Sequence, residues 1–449
     1  MSRRNFILLI VTIIAIIILI AGFSYFRTNS PAETQQEGKS ESFLSQFNPF
    51  KDKNNPAEGN NSAQETQTPS SGTSSTAEET AKLIKVSSMP VAGFGLFPKE
   101  RFKDISASAP LVPADTEEKI KVTPSTLPAS PSTEFVTAVR YVDRATGNIY
   151  QTFVDKIEER KFSGTTIPKV YDAYFGNRGE AVTMRRLKGD ERTIETFAGI
   201  LPKENLGADT ATDNNIRGSF LPDNVKDISV AADGLKIFYL FNSGEGSIGA
   251  TLSLPDSKKT QVFSSPFTEW LSTWGGPQKV ILSTKPSARV AGYTYALDLV
   301  TGSLTKILDK INGLTTLGSP AGKLVLYGSS DLSLNIYDTE TRGLKALSVR
   351  TFPEKCVWSK SGGTIYCAVP KFTASNEYPD AWYQGEESFN DEFWKINTES
   401  GSAVLVLDPS REGGEEVDGI KLAVDDSENY LFFINKKDSM LWRFDLASD

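Results

Sequence analysis

From Lys82 onward the chain is a succession of short runs in which apolar and polar residues alternate, each closed by a tight turn. Alternation with period two gives an extended strand two unlike faces, so the pattern predicts strands rather than helices. The runs come in groups. One apolar run ends in a tight turn, a second apolar run follows, and an aromatic-Asp-x-x-Thr-Gly-like turn then leads into another short strand. Turns of the first kind lie at 175–179, 231–234, 273–276, 319–322, 359–363 and 424–427. They recur at intervals of roughly forty to sixty residues, with about four strands to a unit. That rhythm predicts a β-propeller, whose sheets bury their faces only against their neighbours.

The strand patterns give seven blades. Blade one takes 91–97 as its inner strand, followed, after an insertion that begins at Pro98 and runs to Thr133, by 135–141, 148–154 and a strand near 161–162. Blade two starts at 170–175 and closes near 218–221. Blades three to six run over 227–263, 268–308, 313–349 and 355–407, and blade seven over 418–446. Blade seven supplies only three strands, which would leave a long edge open. The segment 83–87 is a strand with no place in blade one, so it is expected to complete blade seven and close the ring.

Two stretches, 83–93 and 162–171, share a phrasing of outer strand, Pro and inner strand. With the turns 143–147, 298–302, 338–343 and 397–401, this resembles the WD40-like repeats of TolB-type propellers. A clean Ser-Pro-Asp-Gly inner turn is absent, 319–322 and 231–234 coming nearest. The resemblance also extends to membrane-anchored bacterial propellers. It implies an interaction scaffold more often than an enzyme, and the fold alone fixes no function.

Ahead of the propeller, Arg3 and Arg4 precede an apolar run over 6–23. As a helix it would cover roughly 27 Å, close to the hydrocarbon core of a bilayer. The arginines before it predict a cytoplasmic N-terminus and an outward-facing remainder. Residues 1–26 therefore read as a cytoplasmic tip and signal anchor, with a cleaved signal peptide as the other reading. Residues 27–81 are rich in Ser, Thr, Gln, Asn, Glu, Pro and Gly and predict a disordered tether. Within it, Phe43, Leu44, Phe47 and Phe50 share one helical face, either as a short docking segment or as stray aromatics.

Bulk chemistry narrows the function. The 449 residues carry a net charge of -8, which argues against nucleic acid as a partner. There is no histidine, so Ser-His-Asp and Cys-His arrangements and His-ligated zinc are excluded. No Walker loop, nucleophile elbow or other catalytic motif occurs, and no cofactor or metal is expected.

Only two cysteines are present, Cys356 and Cys367. A two-residue turn at Ser361 and Gly362 places them directly opposite each other on adjacent strands, within disulfide range. The alternative is a pair of buried thiols. Blade six also carries an insertion over 371–394 with seven aromatics and six carboxylates. Tyr378, Trp382, Tyr383, Phe389 and Trp394 are the candidate binding residues, because aromatics supply large contact area at low entropy cost. They serve equally well as a cap folded onto the blade. Pairs such as Asp380 with Glu386 suit glycan hydrolysis or calcium.

The sequence reading is a non-enzymatic, membrane-anchored protein-binding or scaffold module at the bacterial cell envelope. It meets the membrane through 6–23 and an envelope protein or glycan through the propeller. A carbohydrate-binding or glycan-hydrolysing propeller and a purely structural envelope component are the alternatives.

Overall fold

The computed structural model describes residues 82–103, 132–204, 206, 215–244, 246–374 and 377–447. The chain divides into two units, Met1–Ala77 and Glu78–Asp449, and every described residue lies in the second. The apolar run 6–23, the tether 27–81 and its aromatic motif at 43–50 fall outside the described residues. So do residues 104–131 of the blade-one insertion. Among the described residues, no helix is long and apolar enough to cross a membrane.

Among the described residues, twenty-eight strands, from β1 (Leu83–Lys85) to β28 (Leu441–Asp445), form seven antiparallel four-stranded sheets. Six sheets are built from four consecutive strands. The seventh has the order β1-β28-β27-β26, with Leu83 opposite Phe444 and Lys85 opposite Trp442. The chain is a seven-bladed β-propeller closed by its own first strand.

The innermost strands are β2 (Val91–Phe102), β6 (Val170–Gly176), β10 (Val225–Val230), β14 (Trp270–Trp274), β18 (Thr315–Gly318), β22 (Cys356–Trp358) and β26 (Gly419–Val424). Apolar side chains between neighbouring sheets form seven clusters, one per interface. Val142, Ile149 and Phe162 of blade one meet Val170, Ala173 and Met184 of blade two. At the seam, Val139 and Tyr141 of blade one meet Phe432, Ile434 and Leu441 of blade seven, with Val86 just after β1. Full burial of each such side chain contributes about 1.5–3 kcal/mol, and only a ring buries both faces of every sheet.

The recurring aspartate turns have a direct cause. In the turn 298–302 the Asp298 carboxylate accepts the N–H groups of Val300 and Thr301, and Gly302 adopts φ +70°. Asp338 and Asn397 make the corresponding bonds in blades five and six. Such side-chain-to-backbone bonds stand in for a ladder and stop the strand.

Blade one departs from its expected layout. Pro98 does not end the inner strand. β2 runs on to Phe102, paired with β3 (Thr133–Asp143) along its whole length, and Pro98 lies opposite Thr137. The two strands project as one long hairpin whose outer end leads into residues 104–131.

Candidate functional site

The blade-six insertion leaves β23 (Thr364–Pro370), turns through the short helix α1 (Asp380–Tyr383) and enters β24 (Asp391–Asn397). Tyr378, Trp382 and Phe389 are buried with Phe352 and Leu332 in an aromatic cluster of their own. The rings of Trp382 and Phe389 stack 6.1 Å apart, and Phe352 lies 5.1 Å from Trp382. The insertion is held from both sides. Ala288 of blade four donates its N–H to Asp380, and Arg289 pairs with Glu377. Lys436 of blade seven donates to the Trp382 carbonyl at 2.6 Å and sits 3.8 Å over its ring. Blade six thereby reaches to blades four and seven as a cap.

The five candidate aromatics therefore occupy different places. Tyr378, Trp382 and Phe389 form the inside of the cap and present no free face. Tyr383 keeps 39% of its surface exposed. Trp394 is not in the insertion; it lies on β24 opposite Cys367. Large aromatics gain more from mutual burial than from standing in water, so an aromatic-rich loop folds inward first. Of the Asp380 and Glu386 pair, Asp380 is engaged by the Ala288 N–H, and the neighbouring Glu387 is engaged within the insertion. Glu387 accepts the Tyr378 hydroxyl at 2.6 Å and the Ala374 N–H at 3.0 Å. No group of three metal-ligating side chains is gathered among the described residues.

Beneath the cap lies an ion cluster with no exposed side chain. Lys355 Nζ is 2.8 Å from Asp391, 2.5 Å from Asp418 and 3.0 Å from the Gly419 carbonyl. Asp418 also accepts the Trp382 indole N–H at 3.0 Å and the Phe389 N–H at 3.1 Å. One lysine thus serves two carboxylates, and the two respond oppositely. Burial and then the neighbouring Asp418 charge push Asp391 up to about 6 against the pull of Lys355. Burial opposes ionisation of Asp418 too, but Lys355 and the donors from the cap hold it below its usual value. The cluster fixes the cap to blades six and seven.

Carboxylates on blades three and six accept hydrogen bonds from neighbouring elements. Glu354, in the single 3-10 turn before β22, accepts the Tyr383 hydroxyl at 2.6 Å. Asp227 of β10 accepts the N–H and hydroxyl of Ser272, at 2.5 and 2.7 Å. The Asp227 charge is only a minor influence on Glu354 and Tyr383, behind burial and nearer groups. Glu354 is exposed at the surface, but the surrounding protein desolvates it and pushes it up to about 7. Burial likewise raises Asp227 to about 6.

A second group lies toward blades one, two and seven. Lys421 sits at a bulge of β26 with φ +50°, and its ammonium pairs with Asp172 of β6 and bonds the Ala92 carbonyl at 2.9 Å. Arg185 and Tyr174 also donate to Asp172, at 3.0 and 2.8 Å. None of Asp172, Asp227, Glu354 or Lys421 was among the candidates from sequence. Their signal is a charged residue in or beside an innermost strand, and it resembles an ordinary solvent-facing position until the ring is closed.

In blade six, Cys356 lies opposite Cys367 as the turn at 361–362 requires, and the two are joined as a disulfide.

No protein-family model matches the chain, and comparison with curated proteins gives no match. Among solved structures it is similar to an oligogalacturonate lyase in complex with manganese, at 11% identity and a TM-score of 0.44, over 69% of this chain and 86% of that one. It is also similar to a functionally unknown protein from Desulfotomaculum acetoxidans DSM 771, at 13% identity and 0.40, over 69% and 89%. TolB from Acinetobacter baumannii matches at 10% identity and 0.40, over 69% and 76%.

Proposed function

We propose that this chain is a membrane-anchored binding module of the bacterial cell envelope that presents the capped mouth of its propeller to a partner protein. The observation that carries this reading is the build of the cap. The buried cluster of Tyr378, Trp382, Phe389 and Phe352 holds Tyr383 against Glu354 with their polar atoms already oriented. Such preorganisation lowers the entropy cost of association. The apolar run 6–23 supports the anchor, and the disulfide supports an oxidising compartment outside the membrane.

The test uses the full chain in bacterial cells. A membrane-impermeant amine reagent should label surface lysines such as Lys258 and Lys310 in intact cells, and deleting residues 1–26 should release the chain from the membrane fraction. In-cell cross-linking should then give adducts that Tyr383→Ala loses while the melting temperature stays within about 2 °C. Unlabelled lysines in intact cells, or adducts indifferent to Tyr383→Ala, would refute the proposal.

Glycan hydrolysis is a second reading, favoured by one observation. Burial raises Glu354 to about 7, so it holds a proton near neutrality, as a general acid must. Glu354→Gln should then abolish turnover of an acidic or neutral oligosaccharide without unfolding the chain.

A further inference from the structure

The face of blade one that packs against blade two carries a row of polar and charged residues beside its apolar cluster. In the ladder β3, β4 (Ile149–Phe153) and β5 (Arg160–Lys161), Arg140 lies opposite Gln151 and Gln151 opposite Arg160. They form one polar row across the sheet. Lys99 of β2 joins it, four residues beyond Gly95, which lies opposite Arg140. A row with this much positive charge is costly between two sheets unless an anion meets it.

One does. Glu204, from the segment joining blade two's third and fourth strands, enters the cleft. Its carboxylate pairs with Lys99 at 2.6 Å, with Arg140 at 3.3 Å and with Arg160. Gln151 Nε2 approaches it at 3.5 Å. Arg140 is 3% exposed, its guanidinium 3.8 Å from the Phe162 ring centre and 4.8 Å from that of Phe97. Gln151 and the Gly179 carbonyl accept its remaining N–H groups. Three cations therefore converge on one carboxylate, with Glu180 acting on Arg140 only at longer range. Desolvation lowers Arg140 to about 10, Glu204 counters this, and Arg160 adds to it.

We propose that this cleft is a carboxylate-binding site and that Glu204 is its intramolecular occupant, displaced by an acidic ligand. The planar Arg140, wedged by two aromatic rings and braced by Gln151, is an immobilised fork of the kind that grips a carboxylate. Arg160 keeps 40% of its side chain exposed, so the cluster reaches solvent beside Glu204. The ligand class is a small di- or tricarboxylate, because the local positive excess exceeds what one carboxylate neutralises. The inference is independent of the partner assigned to the capped mouth.

Succinate titration of the wild-type chain and of Glu204→Gln, by calorimetry and thermal shift, tests it. The variant removes the competing charge and keeps the side-chain shape. It should bind succinate at least ten-fold more tightly than the wild type, and Arg160→Ala in the same background should reduce that binding at least ten-fold. Glu204→Asp retains the charge on a shorter stem and should fall between, which keeps the test open should Glu204→Gln fail to fold. Three outcomes overturn the proposal: no binding to either Glu204 variant at tens of millimolar succinate, binding unaffected by Arg160→Ala, or sulfate binding as tightly as succinate.

Discussion

Lys421 of blade seven pairs with Asp172 of blade two, reaching past blade one, whose Ala92 carbonyl it also bonds. It is the side chain that ties three blades together at the point where the ring closes. Its backbone is held in the left-handed region at a bulge, a conformation that costs a non-glycine residue about 1 kcal/mol or more and persists only where surroundings enforce it. Lys421→Met should therefore lower stability by about 1–3 kcal/mol. That is less than for a fully buried pair, because Lys421 is one-third exposed and Arg185 still serves Asp172. Burial opposes ionisation of Asp172, but Lys421 and Arg185 outweigh it and hold its pKa below the usual value. A depressed carboxylate stabilises above its unfolded pKa and loses that contribution as pH falls through the folded one. The difference between wild type and Lys421→Met, read from urea unfolding, should shrink below about pH 4.

Glu354 gives the opposite pH dependence. Its folded pKa lies near 7, above its unfolded value, so the folded state holds a proton that the unfolded chain has released. That contribution is complete below about pH 4 and is lost as pH rises toward 7. Asp227, near 6, acts in the same direction. Glu354→Gln keeps an acceptor for the Tyr383 hydroxyl and cannot ionise. The variant should melt higher than wild type at pH 8 and lose the difference by pH 5. Equal melting temperatures at both values would mean that Glu354 is freely solvated.

The ring was legible because its signals are local. Glycine turns, Asp-x-x-Thr-Gly turns and short alternating runs each act within about ten residues, and the missing fourth strand of blade seven follows from counting. The Cys356–Cys367 register also follows from one two-residue turn. What lay beyond the sequence depends on contacts between blades. Trp382 looks the same in sequence whether it faces a partner or the Lys355–Asp418 cluster. Only the placement of Asp418 at the start of blade seven decides. Asp172 and Lys421 are 249 positions apart and pair only through ring closure. Pro98 misled for a related reason. Proline usually ends a strand, but here it lies in a two-stranded projection, where a missing N–H costs little.

The closing strand bears the largest single consequence. β1 is only three residues long, yet Val86 donates to the Leu441 carbonyl at 2.8 Å, Ser87 accepts the Leu441 N–H at 3.0 Å, and Asp445 donates to the Lys82 carbonyl at 2.9 Å. Val86 itself is 4% exposed in the seam cluster. Deleting 82–88 from the full chain would strip β28 of its partner and leave an unpaired edge, a template for pairing with other chains. Hydrogen exchange should show blade seven losing protection while blades three to five keep theirs, because each blade contacts only its neighbours. Light scattering should report self-association of the same variant. Val86→Asp, which keeps the backbone and buries an unpaired carboxylate, should give the same pattern more weakly, at about 3 kcal/mol. If the deleted chain stays monomeric with wild-type protection in β26 to β28, the seam is held by side-chain packing and Lys421 alone, and β1 is not the latch.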